Sequence, residues 1–109
     1  MKKFRVLIAP KAAQDIRTAF DLLMDENPRY AVQWRNGLRQ AITKLSTLPF
    51  KNPVAPESDE FDIEIRQLLY GKSTPWRIFY SVDEQQVSVL HIRHGRQDYW
   101  HRSETEKDA

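Results

Sequence analysis

The sequence predicts an α+β fold of order β-α-α-β-β-β, an N-terminal helix hairpin packed on a small, mainly antiparallel sheet. Three observations carry that prediction. Residues 10–48 hold two stripes of helical spacing parted only by Asn27-Pro28. Residues 63–93 hold three short apolar runs separated by polar turns. The 109 residues allow one domain with one modest core, so the two halves must pack on each other.

Residues 3–8 (KFRVLI) are apolar and β-branched enough for a first strand, which Ala9-Pro10 ends. Pro10 suits the first turn of a helix, where its missing N–H would have no partner anyway. From Pro10 to Glu26, Ala12, Ala13, Ile16, Ala19, Phe20, Leu23 and Met24 form one stripe, with Lys11, Gln14, Arg17, Asp21 and Asp25 opposite. Asn27 offers a side-chain oxygen to the free N–H groups of the next helix, and Pro28 follows it well. That helix reads Pro28 to Leu48, with Trp34, Leu38, Ala41, Ile42, Leu45 and Leu48 on its stripe and Pro49 as its stop. Gly37 inside it costs roughly 1 kcal/mol against alanine.

Residues 49–62 (PFKNPVAPESDEFD) carry three prolines and four acids and read as a loop, the one segment expected to be mobile. Three strands follow: Ile63–Tyr70, Trp76–Val82 and Gln86–Arg93, a meander with turns at Gly71–Pro75 and Asp83–Gln85. In the last strand Val87 and Val89 have one parity, Leu90 and Ile92 the other, so the second face has apolar surface to offer a partner. Residues 1–100 are expected to form one domain and 101–109 a polar C-terminal tail.

The net charge is only +2, but it is unevenly spread. Arg93, Arg96, Arg102 and all three histidines crowd the C-terminal stretch, while acids dominate Glu57–Asp62 and Glu104–Asp108. A local basic strip suits an anionic partner, nucleic acid or an acidic protein segment; its plainer reading is a solvated face. The chain has no cysteine, which removes disulfides and thiolate metal sites. Residues 1–10 are too short in apolar length for a signal core or a membrane span, so a cytoplasmic location without membrane contact is the default expectation.

The element order, with Ile65-Arg66-Gln67-Leu68, Trp76-Arg77-Ile78-Phe79-Tyr80 and Val87-Ser88-Val89-Leu90-His91-Ile92 before Arg93-His94-Gly95-Arg96-Gln97-Asp98, resembles the RelE/ParE toxin superfamily over nearly the whole chain. The resemblance implies the toxin of a type II toxin–antitoxin system. Its partner would be a cognate antitoxin whose disordered segment folds over the toxin and masks its active face, with room for a higher-order complex. It does not imply one activity. RelE-like members cleave mRNA in the ribosome; ParE-like members poison DNA gyrase.

For the nuclease branch, the resemblance places Arg77 and Arg96 where phosphate-stabilising arginines stand, and Arg66 at a position that is often basic. Arginines can stabilise the phosphorane charge of 2′-hydroxyl attack. His94 and His101 have the near-neutral intrinsic pKa of an acid or base, and Tyr99 could stack or transfer a proton. Two departures weaken that branch: Glu64 stands where the closest nucleases tend to have lysine, and Tyr99-Trp100 lie nearer Arg96 than the catalytic tyrosine would. The ending around His94–Asp98 looks more ParE-like, which makes gyrase poisoning the leading expectation. Its binding surface would be Arg93, His94, Arg96, Trp100 and His101, together with the helix hairpin. A third reading is a non-toxic relative that only binds an antitoxin.

Structural roles compete for the same residues. Arg77 points away from Trp76 and Ile78 and could pair with an acid there. Arg66 could pair with Glu64 on one strand face, His91 could be packed, and Trp34 and Trp76 are most simply core. His91, His94 and His101 match no zinc spacing, and neither a phosphate-binding glycine loop nor a nucleophile-elbow serine is present. No cofactor is expected.

Overall fold

The computed structural model describes residues 3–72, 75–95 and 99–102. Strand β1 (Arg5–Ile8) leads into α1 (Pro10–Glu26) and α2 (Pro28–Thr43). Strands β2 (Arg66–Tyr70), β3 (Trp76–Val82) and β4 (Gln86–His94) follow. The sheet order is β1-β4-β3-β2, with β1 parallel to β4 and the other pairs antiparallel. The helix hairpin is thus the crossover that lets a first strand lie parallel to the last. It covers one face of the sheet.

Helix α1 has the bounds its apolar spacing predicts, and Pro10 stands in its first turn. The helices meet at Asn27, whose side-chain oxygen accepts the Tyr30 N–H at 3.1 Å, a cap worth about 1 kcal/mol. Helix α2 stops five residues before the expected Leu48. Thr43 turns its hydroxyl back onto the Arg39 carbonyl at 2.9 Å, and a 3-10 turn follows at Lys44–Ser46. That turn keeps Leu45 in the core but leaves Leu48 exposed. Gly37 has a packing reason: a Cβ there would overlap the Tyr70 hydroxyl, which crosses α2 to donate to the Trp34 carbonyl at 2.8 Å.

The main core lies between hairpin and sheet. Trp34, Leu38 and Ile42 of α2 pack with Ala12 and Ala19 of α1 and with Ile78, Tyr80, Val87, Val89 and Ile92 of the sheet. Trp34 and Trp76 meet at 5.1 Å between ring centres, as core residues should, Trp76 at the margin. Val89 and Ile92 have opposite parity, yet both face the helices. The register slips between Phe79 and Tyr80, which pair with His91 and Val89, so Leu90 is the extra residue of a β-bulge. The expected split of β4 into Val87/Val89 and Leu90/Ile92 faces is corrected by that one residue.

Strand β2 begins at Arg66 rather than Ile63. The chain just before it is held by other bonds: Ile65 N–H donates to Ser58 Oγ at 2.8 Å, and Ala55 N–H donates to the Ile65 carbonyl. The loop 49–62, marked by its prolines and acids, packs against the sheet. Pro56–Glu60 forms a 3-10 helix, and Glu57 within it is fully buried. The loop crosses the sheet face away from the helices. There Ala55, Ile65, Phe79 and Trp100 form a second, smaller core, with Phe61 and Leu90 against it. The outer face of β4 therefore serves the chain's own loop. Among the described residues, no helix is long and apolar enough to cross a membrane.

Candidate functional site

The sequence singles out arginines and the C-terminal stretch, and the sheet register decides which of them can meet. Arg66 lies opposite Tyr80 in the β2–β3 ladder, whereas Arg77 lies opposite Leu69. Tyr80 faces the helices and Arg77 faces the other side, so Arg66 and Arg77 leave the sheet on opposite faces.

Arg66 braces the start of the loop. Its Nη1 donates to the Asn52 carbonyl at 2.7 Å and its Nε to Glu64 Oε1 at 3.1 Å, while the guanidinium covers the Phe50 ring at 5.1 Å. The Glu64 pair expected from strand parity is present. Close by, Tyr80 donates its hydroxyl to the Pro49 carbonyl at 2.5 Å and accepts from Asn52 Nδ2 at 3.1 Å.

Arg77 is the centre of the outer face. Its two terminal nitrogens donate to the two Glu57 carboxylate oxygens, both at 2.6 Å. Its Nε and Nη2 also donate to Gln67 Oε1 at 3.0 and 2.7 Å. The guanidinium lies over Phe79 at 4.7 Å. This planar, two-pronged pairing is the strong form of an arginine–carboxylate bond. Burial pushes the Glu57 carboxyl up. The Arg77 bonds, the N–H groups of Trp100 and of Glu57 itself, and the guanidinium charge outweigh burial and hold it below its ordinary value.

Arg93 sits directly across the ladder from Arg77 and is nearly buried. Two guanidinium groups side by side would repel, and the Glu57 carboxylate offsets the Arg77 charge. Arg93 Nη1 lies 3.5 Å from His91 Nε2. His91 is packed, its ring near-parallel to Phe79 at 6.1 Å and tilted against Trp100 at 4.7 Å, and its Nδ1 lies 2.6 Å from Asp15 Oδ2. Asp15 is ionised and can only accept, so Nδ1 is the donor of that bond. Asp15 is on α1, yet it reaches the edge of β4 because β1 pairs with β4 only through Val89. Beyond that point the Ile92 N–H has no strand partner and donates to Asp15 Oδ2 at 2.9 Å. Burial raises the Asp15 carboxyl, but the bonds from His91 and Ile92 and the charges of His91 and Lys11 prevail, and it lies below its ordinary value.

The C-terminal residues return along the acidic loop. Trp100 was expected on a binding surface; it is buried instead, 4.5 Å from Phe61 and 4.9 Å from Phe79, and its N–H reaches Glu57 at 3.3 Å. The indole is the largest apolar body available to close the second core, and its burial there removes it from a docking role. The Tyr99 hydroxyl donates to the Pro56 carbonyl at 3.0 Å and is raised above its ordinary range, first by desolvation and then by the Glu60, Glu57 and Asp59 charges. His101 Nδ1 lies 3.1 Å from Glu60, and Arg102 forms a forked pair with Asp62 at 3.2 and 3.0 Å. His94 ends β4 on the helix side, edge-on to Trp76 at 4.7 Å. Arg96 lies outside the described residues, as does the tail from residue 103.

The end of the basic stretch, His101 and Arg102, meets Glu60 and Asp62 of the acidic loop, two segments read separately in the sequence. Glu57, Gln67 and Asp15 organise this face, and sequence reasoning missed all three. The only signal was the expectation of some acid opposite Arg77; nothing local marks Glu57 among its acidic neighbours.

Comparison with known proteins now bears on this arrangement. The solved structure described as "Chromosomal ParDE TA system from P. aeruginosa" is similar at a TM-score of 0.68 and 17% identity, covering 84% of this chain and 96% of that one. At that identity the likeness speaks for the fold alone. No curated protein matches the chain by sequence. The family described as "ParE toxin of type II toxin-antitoxin system, parDE" matches residues 6–99, from β1 through the outer-face cluster to Tyr99. The chain belongs to the ParE toxin family.

Proposed function

We propose that the protein inhibits growth by poisoning DNA gyrase and is neutralised by a cognate antitoxin. The family is one half of a two-component system, which supports the antitoxin as partner. The observation that carries the choice of branch is the Arg77–Glu57 pair. A ribosome-dependent nuclease needs the Arg77 guanidinium aimed at a phosphate, and both of its terminal nitrogens are spent on a buried carboxylate. Arg66, the other arginine of that reading within the described residues, works on the far side of the sheet. A surface that binds a protein target needs neither group free. Its accessible members are His94, His101 and the outer side of the helix hairpin.

The test is induction of the chain without antitoxin, with early mapping of mRNA 5′ ends and of gyrase–DNA cleavage complexes. Growth arrest with intact mRNA and trapped gyrase complexes is the expected result. New mRNA ends at fixed codon positions, lost in Arg77→Lys and Arg96→Ala, would instead make it a ribosome-dependent nuclease. Unchanged growth at full expression would leave only antitoxin binding.

A further inference from the structure

The small net charge of the chain hides a strong segregation. Residues 27–56 hold Arg29, Arg35, Arg39, Lys44 and Lys51 and not one acid, although the whole chain has 15 acids against 17 basic residues. All five lie on α2 or in the residues just after it. We propose that this ridge binds the phosphate backbone of a duplex nucleic acid. The proposal is separate from the choice of gyrase as protein target.

The fold leaves these charges unbalanced. Among the described residues, none of the five lies within ion-pair distance of a carboxylate, while Lys11, Arg66, Arg77 and Arg102 each do. Arg35 and Arg39 stand four apart on α2, where like charges repel. Arg35 rests over the Phe20 ring at 4.5 Å, so an aromatic face and not an anion holds it. A row of like charges without internal partners suits a polyanion. Arg29 to Lys44 spans roughly 22 Å of helix axis, a length over which a duplex carries about a dozen phosphates.

The make-up of the ridge separates a nucleic acid from a protein. From Gln33 to Lys44 the exposed positions are Gln33, Asn36, Arg39, Gln40, Thr43 and Lys44, with no large apolar side chain exposed among them. Protein interfaces have an apolar centre depleted in charge. Nucleic-acid interfaces are polar and strongly positive. The exposed apolar residues of the hairpin lie before this stretch: Leu22 and Met24 on α1, Tyr30 and Val32 at the start of α2. The stretch also has no exposed ring on which an unpaired base could stack, which favours a duplex over a single strand. Arginine, lysine and side-chain amides are the groups that bond to phosphate oxygens.

The test is fluorescence anisotropy of a short labelled DNA duplex of mixed sequence, titrated with the full chain across a range of salt concentrations. Companion probes are an RNA duplex and a single strand of the same length, and polyglutamate. The logarithm of the DNA affinity should fall against that of the salt concentration with a slope of about −4, close to 0.9 per phosphate contacted. Arg39→Ala and Lys44→Ala change exposed positions, and each should reduce the slope by about one and weaken binding to every sequence alike. Arg102→Ala removes the same charge beside the acidic loop and should change neither. Tighter binding of the DNA duplex than of the RNA duplex would make the ligand DNA; equal binding of both would make it any duplex backbone. A slope no steeper than about −1, or one reduced as much by Arg102→Ala as by Arg39→Ala, would overturn the proposal. So would tighter binding of the single strand or of polyglutamate than of either duplex. No gyrase is present, so a negative result leaves the proposed protein target untouched.

Discussion

The two faces of the sheet are held by different physics, and the contrast is sharpest at adjacent residues. Ile78 faces the helices and is fully buried among Trp34, Leu38, Val87 and Val89. Arg77, one residue earlier, faces outward and is tied by four hydrogen bonds to Glu57 and Gln67. The helix side gains from non-directional burial, roughly in proportion to the apolar area removed from water. The outer side encloses a carboxylate under a loop and depends on named partners. An apolar core tolerates approximate fit; a buried ion pair fails when one member is lost, because the other keeps its desolvation cost.

The largest expected effect tests that difference directly. Arg77→Ala should destabilise the fold by about 4 kcal/mol, since it strands the Glu57 charge. Ile78→Ala should cost about 3 kcal/mol through the cavity it leaves. Denaturant titration separates the two mechanisms once a partner is changed. Adding Glu57→Leu to Arg77→Met should restore most of the loss, whereas Glu57→Leu beside Ile78→Ala should restore nothing. Equal behaviour of both pairs would mean that the outer face is only another apolar core.

Acid is the next lever, and it should act on the outer face alone. Glu57 and Asp15 both have carboxyls held below their ordinary values of 4.5 and 3.8. A carboxyl depressed in the folded state binds fewer protons there than in the unfolded chain. Its contribution is complete above the ordinary value and is lost as the pH falls through the folded one. Stability should therefore be level near neutrality and fall below about pH 4. Glu57→Gln should lower the neutral plateau and flatten that fall; a profile as steep as the parent's would show that Glu57 is not the group responsible.

The smallest effect is expected at the rim. Arg102 and Asp62 form a forked pair, but their side chains are 46% and 81% exposed. Water and salt screen such a pair, so Asp62→Ala should change stability by no more than about 0.5 kcal/mol. A loss several times larger would extend the enclosed network from Glu57 to the end of the described chain.

Much of the helix side was legible before any coordinates. The bounds of α1, the Asn27 cap and the span Trp76–Val82 follow from local periodicity and from residues that act on their nearest neighbours. The pair Arg66–Glu64 follows from strand parity, and the core placement of Trp34 and Trp76 from the size of indole rings. The outer face was not legible. Arg77 announced that it needed an acid, yet Glu57 is 20 residues away in a stretch of several acids, and only the path of the loop selects it. Leu90 carries no mark of being the extra residue of a bulge; that depends on how β3 and β4 align over the core. Trp100 reads equally as a docking aromatic or a core plug until the loop that it closes is in place.

The sequence by itself determined the order of elements, the helix hairpin and one apolar face on each, because those depend on spacing along the chain. The tertiary structure decided that the end of the basic C-terminal stretch pairs with the acidic loop, that Arg66 and Arg77 work on opposite faces, and that Trp34 ends against Trp76. Each of those is a long-range pairing, fixed by β1 slotting in parallel beside β4 and by burial of the loop. A charge or a ring in one segment does not reveal which distant segment the fold will set against it.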